Sequence, residues 1–281
     1  MRLHISRRKL NQGLQTVLAA VVAILMIFPL YWMVITSFKT TPEVLLTKPT
    51  FFPQQFTLDA YRNVLANYPI GVYLINTLWV TLGIVVLQVL VGILAAYAFS
   101  KGSFYGKDVL FVLVLGAMMI PIQVTFIPIY VMISRMGWLN SFAGLILPEA
   151  ISAYSIFMLR QNFMSVDDSY LEAAKVDGMN KIQMIFAILT PMCKPTLVTT
   201  TILAFINGWN AYFWPKMIVT TDKVRTIALG IADIRNSFLS MEALNMNQIM
   251  AASCIAVIPI LLLFLLFQRH ILTGFSKAAM K

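Results

Sequence analysis

The side chains that most often carry out catalysis or bind metals are few in this sequence and widely spaced. The two cysteines, Cys193 and Cys254, stand far apart, and the two histidines, His4 and His270, lie near opposite ends. This spacing gives neither a disulfide framework nor a metal-ligand set, and no nucleophile–base arrangement is evident. The stretch "GSFYGKD" is one residue too short between its glycines for a phosphate-binding loop, and it ends in Asp108 where Ser or Thr is needed. We therefore predict that the chain is not an enzyme and binds no metal or cofactor itself.

Polar side chains inside apolar stretches are better candidates for function. Glu149 lies in "GLILPEAISAYS", where a lipid-facing charge would cost about 2.5 kcal/mol or more. It could accept hydrogen bonds from the hydroxyls of a solute, or it could be a structural carboxylate bonded to a neighbouring helix. Gln123, Asn207 and Asn210 are the other candidates for a solute path. The aromatic residues around the two asparagines are also typical of a membrane-interface belt.

The composition indicates a membrane protein. The chain is 59% hydrophobic and 11% charged, with a mean hydropathy of +0.81, and a water-soluble domain could not cover so much apolar surface. A bilayer-spanning helix needs about 20 mostly apolar residues. The stretches that meet this are residues 14–38, 72–99, 109–134, 137–159, 195–215 and 246–268. We predict an all-α integral membrane protein with six transmembrane helices in a single domain, 1–281. The first stretch is too long for a signal-peptide core and is predicted to be retained.

The net charge of +10 comes from Lys and Arg residues, many of which lie in short loops between apolar stretches. This placement fits the positive-inside rule better than nucleic-acid binding, so nucleic acid is not an expected partner. The basic residues are denser on the side that holds the N-terminus, which predicts that both termini are cytoplasmic. The longer loops, about 39–71 and 216–245, then lie outside, and residues 161–194 lie inside.

Prolines interrupt most of the predicted spans, and each removes a helical hydrogen bond. They either cause kinks that serve packing or mark broken helices that line a path which must open and close. The strongest candidate for such a path is "GAMMIPIQVTFIPIY", because it contains Pro121 and Pro128 and also carries Gln123 and Thr125.

The inner loop 161–194 contains the polar, helix-forming stretch "LEAAKVDGMNKIQMIFAILTP". Ser165, Asp167 or Asp168 can cap a first helix. Gly178 can end that helix in a left-handed conformation, and a second helix can begin at Asn180. The sequence therefore predicts a helix–turn–helix hairpin that is too short and polar to span the membrane.

The two hairpin helices have different surfaces. Ala173 and Ala174 leave a flat patch on the first helix, flanked by Glu172 and Asp177. The one-sided spacing of the second helix predicts an apolar face made of Ile182, Ile185, Phe186 and Leu189. Such a pair could tether two spans at the membrane interface, or it could present the alanine patch to another protein.

This stretch resembles the EAA loop of ABC-importer membrane subunits, which reads Glu-Ala-Ala, three residues, Gly, nine residues, then Ile-x-Leu-Pro. The matching residues are Glu172, Ala173, Ala174, Gly178, Ile188 and Pro191. Thr190 stands where leucine is usual. The resemblance implies that residues 161–194 form a coupling hairpin that sits on a cytoplasmic ATPase, with Glu172 paired to a basic residue of that ATPase.

The resemblance extends over nearly the whole chain, to carbohydrate-importer permeases of the maltose G-type. It is carried by "FPLYWMVITSFKTTPE", "AYAFSKGSFYGKD", "NGWNAYFWP" and "FQRHILTGFSKAAMK". It implies one permease of a heterodimer, working with two ATPase subunits that bind ATP and Mg and with an external solute-binding protein, in a bacterial or archaeal cell membrane. In that family the tail, here with Gly274, Lys277 and Lys281, reaches the ATPase, and the loop at about 220–244 reaches the binding protein.

The resemblance also implies import of a carbohydrate, either an oligosaccharide or a related polyol. Import of glycerol-phosphate-type solutes stays open, as does an ion-coupled secondary transporter working alone. A secondary transporter would be expected to show inverted repeats and ionisable residues in several spans, whereas only Glu149 stands clearly inside one.

Overall fold

The computed structural model is helical and contains no strand in the part that it describes. It describes the backbone of residues 7–239 and 246–279 and the side chains of residues 14–236 and 246–268. The α-helices are α1 (Arg7–Ser37), α2 (Thr41–Val44), α3 (Asp59–Asn67), α4 (Ile70–Lys101), α5 (Lys107–Ala117), α6 (Ile122–Arg135), α7 (Phe142–Ile146), α8 (Ala153–Met164), α9 (Ser169–Val176), α10 (Lys181–Gln183), α11 (Thr190–Met192), α12 (Lys194–Trp209), α13 (Phe213–Ile218), α14 (Ile227–Leu239) and α15 (Met246–Ala279). Short 3₁₀ turns cover Leu147–Glu149 and Asp222–Val224, and a π-helix covers Met184–Leu189.

Three segments are long and apolar enough to cross a bilayer without a break. They are Leu14–Ser37, Ile70–Lys101 and Met246–Gln268. At 1.5 Å per residue each exceeds the roughly 30 Å of a hydrocarbon core. These segments confirm the all-α membrane class that the composition predicts.

Three further apolar segments are helix pairs bent at a short break. Lys107–Ala117 and Ile122–Arg135 meet at 101°, and Phe142–Glu149 and Ala153–Met164 meet at 44°. The sequence predicts spans over 109–134 and 137–159 that their prolines kink or break, and the structure breaks both. The first break lies at Pro121. The helix breaks there because proline lacks an N–H and disfavours helical geometry at the residue before it. By contrast, Pro128 lies inside α6, which continues through it.

The predicted span over 195–215 is also interrupted. Helix α12 ends at Trp209, and α13 starts separately at Phe213. At its other end, α12 meets the preceding segment Lys181–Met192 at 88°. Pro195 lies in the first turn of α12, where the missing N–H costs no internal hydrogen bond, whereas Pro191 lies near the end of the segment Lys181–Met192.

The chain divides into two compact units. The first comprises Met1–Ile70 and Ile231–Ile258. In it, Glu43 accepts hydrogen bonds from the Thr50 hydroxyl at 2.6 Å and from the Gln54 N–H at 3.0 Å. Burial opposes ionisation of Glu43, but these bonds and the charge of Lys39 outweigh it and hold the pKa of the carboxyl below its ordinary value. The loop after α1 is therefore an ordered polar structure.

The second unit, Gly71–Gly230 with Pro259–Lys281, has α4 running through two apolar cores. One core gathers Ile93, Ala96, Leu159, Phe163, Val166, Leu171, Ala174, Met184, Ile185, Leu189 and Cys193. The other gathers Val80, Ile84, Ile133, Leu145, Trp214, Ile218, Val219, Val224 and Leu229. Gly83 and Gly92 let α4 approach its neighbours, since a Cβ on Gly83 would lie 2.7 Å from Ile146 Cδ1. Helix α4 is thus the common wall of both cores.

Candidate functional site

The first hairpin helix begins at a side-chain hydrogen bond made by Asp167. Its carboxylate accepts the backbone N–H of Ser169 at 2.8 Å, and this bond holds the pKa of Asp167 below its ordinary value. Of the three residues predicted to start the helix, Asp168 instead forms an ion pair with Lys101 at 2.6 Å. Ser165 donates to the Asn162 carbonyl of the preceding helix.

The bend of the hairpin has the geometry that the sequence predicts. Gly178 has φ +79°, a left-handed conformation that glycine adopts without strain. The N–H of Met179 bonds the Ala174 carbonyl at 2.9 Å, and the N–H of Gly178 bonds the Lys175 carbonyl at 3.1 Å. This pair of bonds is a Schellman motif, which fixes the direction of the chain as it leaves α9.

The second hairpin helix begins at Asn180, as predicted. Asn180 accepts the Gln183 N–H at 2.9 Å, while the Gln183 side chain accepts the Asn180 N–H at 2.8 Å, which completes a capping box. A fixed turn followed at once by a capped helix makes the hairpin stiff.

The apolar face predicted for the second helix is wrong in part. Ile185 and Leu189 are buried, but Ile182 and Phe186 are exposed, and Met184 faces the core instead. Within Met184–Leu189 the cause is the π-helix, whose i→i+5 bonding brings Met184, in place of Phe186, onto the face of Ile185 and Leu189. The hydroxyl of Thr190, the residue that departs from the EAA pattern, donates to the Ile185 carbonyl at 2.8 Å within this segment.

The predicted alanine patch is also wrong in part. Ala174 is only 3% exposed and belongs to the hairpin core, because it lies on the same side of α9 as Leu171. Ala173 is exposed. The outward surface of α9 instead joins Ala173 to Tyr170 and to Val176, which is 88% exposed. These three residues have helical i, i+3, i+6 spacing and make a small apolar surface, which we call the outer face of the hairpin.

Charged side chains flank that face. Glu172 and Asp177 are exposed, and neither forms an ion pair with a residue whose side chain the structure describes. Glu172 borders a cleft of about 430 Å³ that is also lined by Lys101, Lys107, Asp168 and Lys175. Pro191 is exposed further along the hairpin. A docking partner therefore meets an apolar surface edged by charge.

The broken spans line a partly open cavity of about 290 Å³ in the second unit, and its wall combines polar and apolar side chains. Three of the four residues predicted for a solute path, Glu149, Asn207 and Asn210, line it. Gln123 does not line it and is exposed in the first turn of α6, just after the break, so its place in a solute path stays a prediction. The neighbours of Gln123 on α6, Ile122 and Phe126, supply the wall there.

Gln88 is a cavity residue that the sequence analysis missed. It is buried on α4, and its Nε2 donates to the backbone carbonyl of Glu149 at 2.7 Å. That carbonyl lies at the break after Pro148, so Gln88 satisfies backbone that the break exposes. The Glu149 carboxylate itself makes no hydrogen bond or ion pair within the described part of the chain. The signal was available, because Gln88 is one of two amide side chains, with Asn76, within the predicted span 72–99.

The aromatic residues after α12 have a packing role. Trp209 and Trp214 are buried, and the Trp214 indole N–H donates to the Gly144 carbonyl at 2.9 Å. Burial excludes a membrane-interface belt for these two side chains. Tyr212 and Trp214 also line the cavity, so amide and aromatic groups meet the carboxylate there.

Two predicted regions fall at or beyond the described limits. The side chains of Gly274 and Lys277 and the whole of Lys281 lie outside the described residues. The loop predicted over 216–245 is described as far as residue 239 and contains α13, a 3₁₀ turn and α14, so it is more than a linker there.

Apolar helical segments, two of them broken beside the cavity, together with a stiff two-helix hairpin, have the architecture expected of a transport permease. The comparisons place the chain more narrowly. Residues 88–277, more than half of the chain, match the family described as "Binding-protein-dependent transport system inner membrane component", and the chain belongs to this family.

Relatives of known role match along most of their length. The arabinooligosaccharides transport system permease protein AraQ of Halalkalibacterium halodurans is 28% identical over 273 residues, covering 95% of this chain and 96% of the relative. The sn-glycerol-3-phosphate transport system permease protein UgpE of Pectobacterium atrosepticum is 32% identical over 254 residues, covering 88% and 90%. A chain of a bacterial ABC transporter involved in alginate import superposes with a TM-score of 0.82 at 23% identity, covering 95% of this chain and 99% of that one, which shows a shared fold.

Proposed function

We propose that this chain is a permease subunit of an ATP-driven importer that moves a carbohydrate, an oligosaccharide or related polyol, into the cell. The hairpin carries the proposal, because its Schellman turn and capping box hold an outward apolar face in one orientation. A stiff projection of this kind can transmit a push from a docked ATPase, whereas a flexible loop could not.

The expected partners follow from the family and from the surfaces of the chain. We infer a second permease subunit, two cytoplasmic ATPase subunits that bind ATP and Mg, and an external solute-binding protein. The span Leu14–Ser37 needs lipid or a partner protein against it, because none of its most apolar 18-residue stretch is buried within the chain. In this arrangement both termini are cytoplasmic in a bacterial or archaeal inner membrane, the hairpin faces the ATPase, and the loop at 220–244 faces the binding protein.

The cavity supports a carbohydrate as the solute. Glu149, Asn207 and Asn210 offer acceptors and donors for hydroxyl groups, and Tyr212 and Trp214 offer apolar surface. No Lys or Arg lines this cavity in the described part of the chain, so its wall does not favour the anionic solute named for UgpE. We therefore place glycerol-phosphate-type import second.

The test is purification of the complex from its native membrane, followed by assay of ATP hydrolysis with and without the co-purified solute-binding protein. We expect hydrolysis from a separate subunit, stimulated by the binding protein. Glu172→Lys should reduce stimulation at least about fivefold while the protein still inserts, because reversal of charge repels the basic partner. Lys181→Gln, an exposed change on the same hairpin, is the matched control. A complex without a nucleotide-hydrolysing subunit, or normal coupling in Glu172→Lys, would contradict the proposal.

A further inference from the structure

Helix α4 is the one continuous span with no internal proline among the three that the described residues contain. Its 32 residues are about 48 Å long, against a hydrocarbon core of about 30 Å. The helix is therefore longer than the apolar layer is thick, and each of its ends holds a set of polar contacts.

At its N-terminal end, α4 binds the segment that precedes and begins α14. The Tyr73 hydroxyl donates to Asp222 at 2.7 Å. The Asn76 amide donates to the carbonyls of Lys223 at 3.1 Å and Arg225 at 3.0 Å, and the Ile227 N–H donates to the Thr77 hydroxyl at 2.8 Å. We call these contacts the outer clasp.

The outer clasp is also closed by packing. A Cβ placed on Gly230 would lie 2.4 Å from Cδ2 of Tyr73, so the backbone of α14 rests directly on that ring. The loop predicted to meet the solute-binding protein is thus fastened to α4 where α14 begins.

At its C-terminal end, α4 binds the coupling hairpin. Lys101 donates to the Val166 carbonyl at 2.6 Å and pairs with Asp168 at 2.6 Å, and its side chain is only 9% exposed. These are the residues directly before α9. We call these contacts, together with those that Arg160 and Lys107 make at the same end of α4, the inner clasp.

Two further basic side chains stabilise the same end of α4. Arg160 of α8 donates to the Phe99 carbonyl at 3.0 Å and lies over the Phe111 ring at 3.8 Å. Lys107 of α5 donates to the carbonyls of Ser100 and Gly102. Cations at a helix C-terminus satisfy carbonyls that lack helical partners, so this end cannot unwind freely when it is pulled.

We propose that α4 is a connecting rod between the two faces of the membrane, and that Asn76 and Lys101 are positioning residues for coupling. A displacement of the outer loop would move α4 as a unit and shift the start of the hairpin. This inference rests on the proposed function, and it adds a route by which the two faces communicate.

The experiment is a double-mutant cycle in the assembled complex, reconstituted in liposomes with its native solute-binding protein. The measured quantity is the ratio of stimulated to basal ATP hydrolysis at equal ATPase content. Asn76→Asp removes the donor at the outer clasp, and Lys101→Met removes the cation at the inner clasp. We expect each to lower the ratio about fivefold or more, and the double variant to lower it no further.

Non-additivity separates a rod from structural damage. The two residues stand about 37 Å apart along the helix axis, and independent damage at that separation adds. Thr81→Val is the matched control, an isosteric change on α4 at a buried hydroxyl that has no hydrogen-bond partner in the described structure. Lys101→Arg, which keeps the positive charge and can still donate, should retain most of the stimulation.

Additive losses, or an unchanged ratio in either single variant, would overturn the rod. If Lys101→Met does not assemble, Asp168→Asn replaces it in the cycle, since it removes the ion pair and leaves the bond from Lys101 to Val166. The wild-type complex distinguishes failure of the rod from failure of the proposed function. Without binding-protein stimulation in the wild type, the proposed function fails first and the rod fails with it.

Discussion

Gly178 is the residue on which the orientation of the hairpin depends most directly. Its φ of +79° strains any L side chain, although no atom lies within 4 Å of the position where a Cβ would stand. We predict that Gly178→Val costs about 1–2 kcal/mol of local stability through backbone strain and weakens coupling. The measurement is co-purification of the ATPase together with stimulated hydrolysis.

The control for that variant is Gly178→Asn, because asparagine tolerates the left-handed conformation better than other residues do. It should keep the ATPase and most of the stimulation. Equal behaviour of the two variants would show that the φ of this residue does not set the docking geometry.

Glu149 is the residue whose role the structure sharpens most. Its carboxylate lines the cavity without a partner in the described chain, so it is available to a hydroxyl-bearing solute. We predict that Glu149→Gln lowers uptake of the solute carried by the native binding protein about tenfold, the loss expected for one charge-assisted hydrogen bond. Transport into proteoliposomes measures it.

Glu149→Lys extends the same test, since a lysine donates where the carboxylate accepts, and uptake should fall further. Normal uptake and unchanged solute preference in both variants would identify Glu149 as a structural carboxylate.

At the scale of elements, the polar loop after α1 offers a prediction about pH. Glu43 has a lowered pKa, so its ionised form stabilises the folded loop at and above the ordinary carboxyl pKa. That stabilisation is lost as the pH falls through the lowered value. We predict that Glu43→Gln lowers the unfolding temperature of the purified complex at pH 7, and that the gap from wild type narrows in acid.

Asp59→Asn is the control for Glu43, because Asp59 begins α3 in the same unit and has a mostly exposed side chain. It should shift the unfolding temperature little at any pH. A pH-independent gap in Glu43→Gln would show that shape, rather than charge, accounts for the effect.

Elements with strong local signals could be predicted from the sequence. The turn at Gly178 and the cap at Asn180 depend on interactions within a few residues, so the local sequence is enough to predict them. The burial of Ala174 and the π-helix over Met184–Leu189 depend on how the hairpin packs against Ile93, Leu159 and Phe163, which are remote in sequence. Periodicity alone assumes a regular helix and therefore assigned Ile182 and Phe186 to the wrong face.

The same division applies to the spans and the cavity. Length and hydropathy predicted the apolar segments, but they do not distinguish a straight span from one that turns by 101°. Glu149 comes together with Asn207 and Asn210 because the turn Leu147–Glu149 meets the end of α12, and Gln123 does not line the cavity because of its position on α6. A search for every amide side chain in a predicted span would have added Gln88.

For the whole molecule, the structure puts the hairpin and the 222–230 segment at opposite ends of α4, so we predict opposite membrane faces for them. Lys175 and Lys223 are both exposed and suit substitution by cysteine. In intact cells or right-side-out vesicles, a membrane-impermeant maleimide should label Lys223→Cys, and it should label Lys175→Cys only after permeabilisation.

The wild-type chain measures the background of that experiment, since Cys193 is buried and Cys254 is partly so. Labelling of Lys175→Cys from outside would reverse the orientation and remove the hairpin from the ATPase side.

The 101° turn between α5 and α6 has one more consequence. Neither half, of 11 and 14 residues, is long enough to cross the hydrocarbon by itself. Peptide carbonyls at such a corner lack the bonds that an unbroken helix would give them, and acyl chains cannot supply substitutes. The corner therefore demands a hydrated or protein-lined surrounding at membrane depth, so acyl chains cannot be its only neighbours.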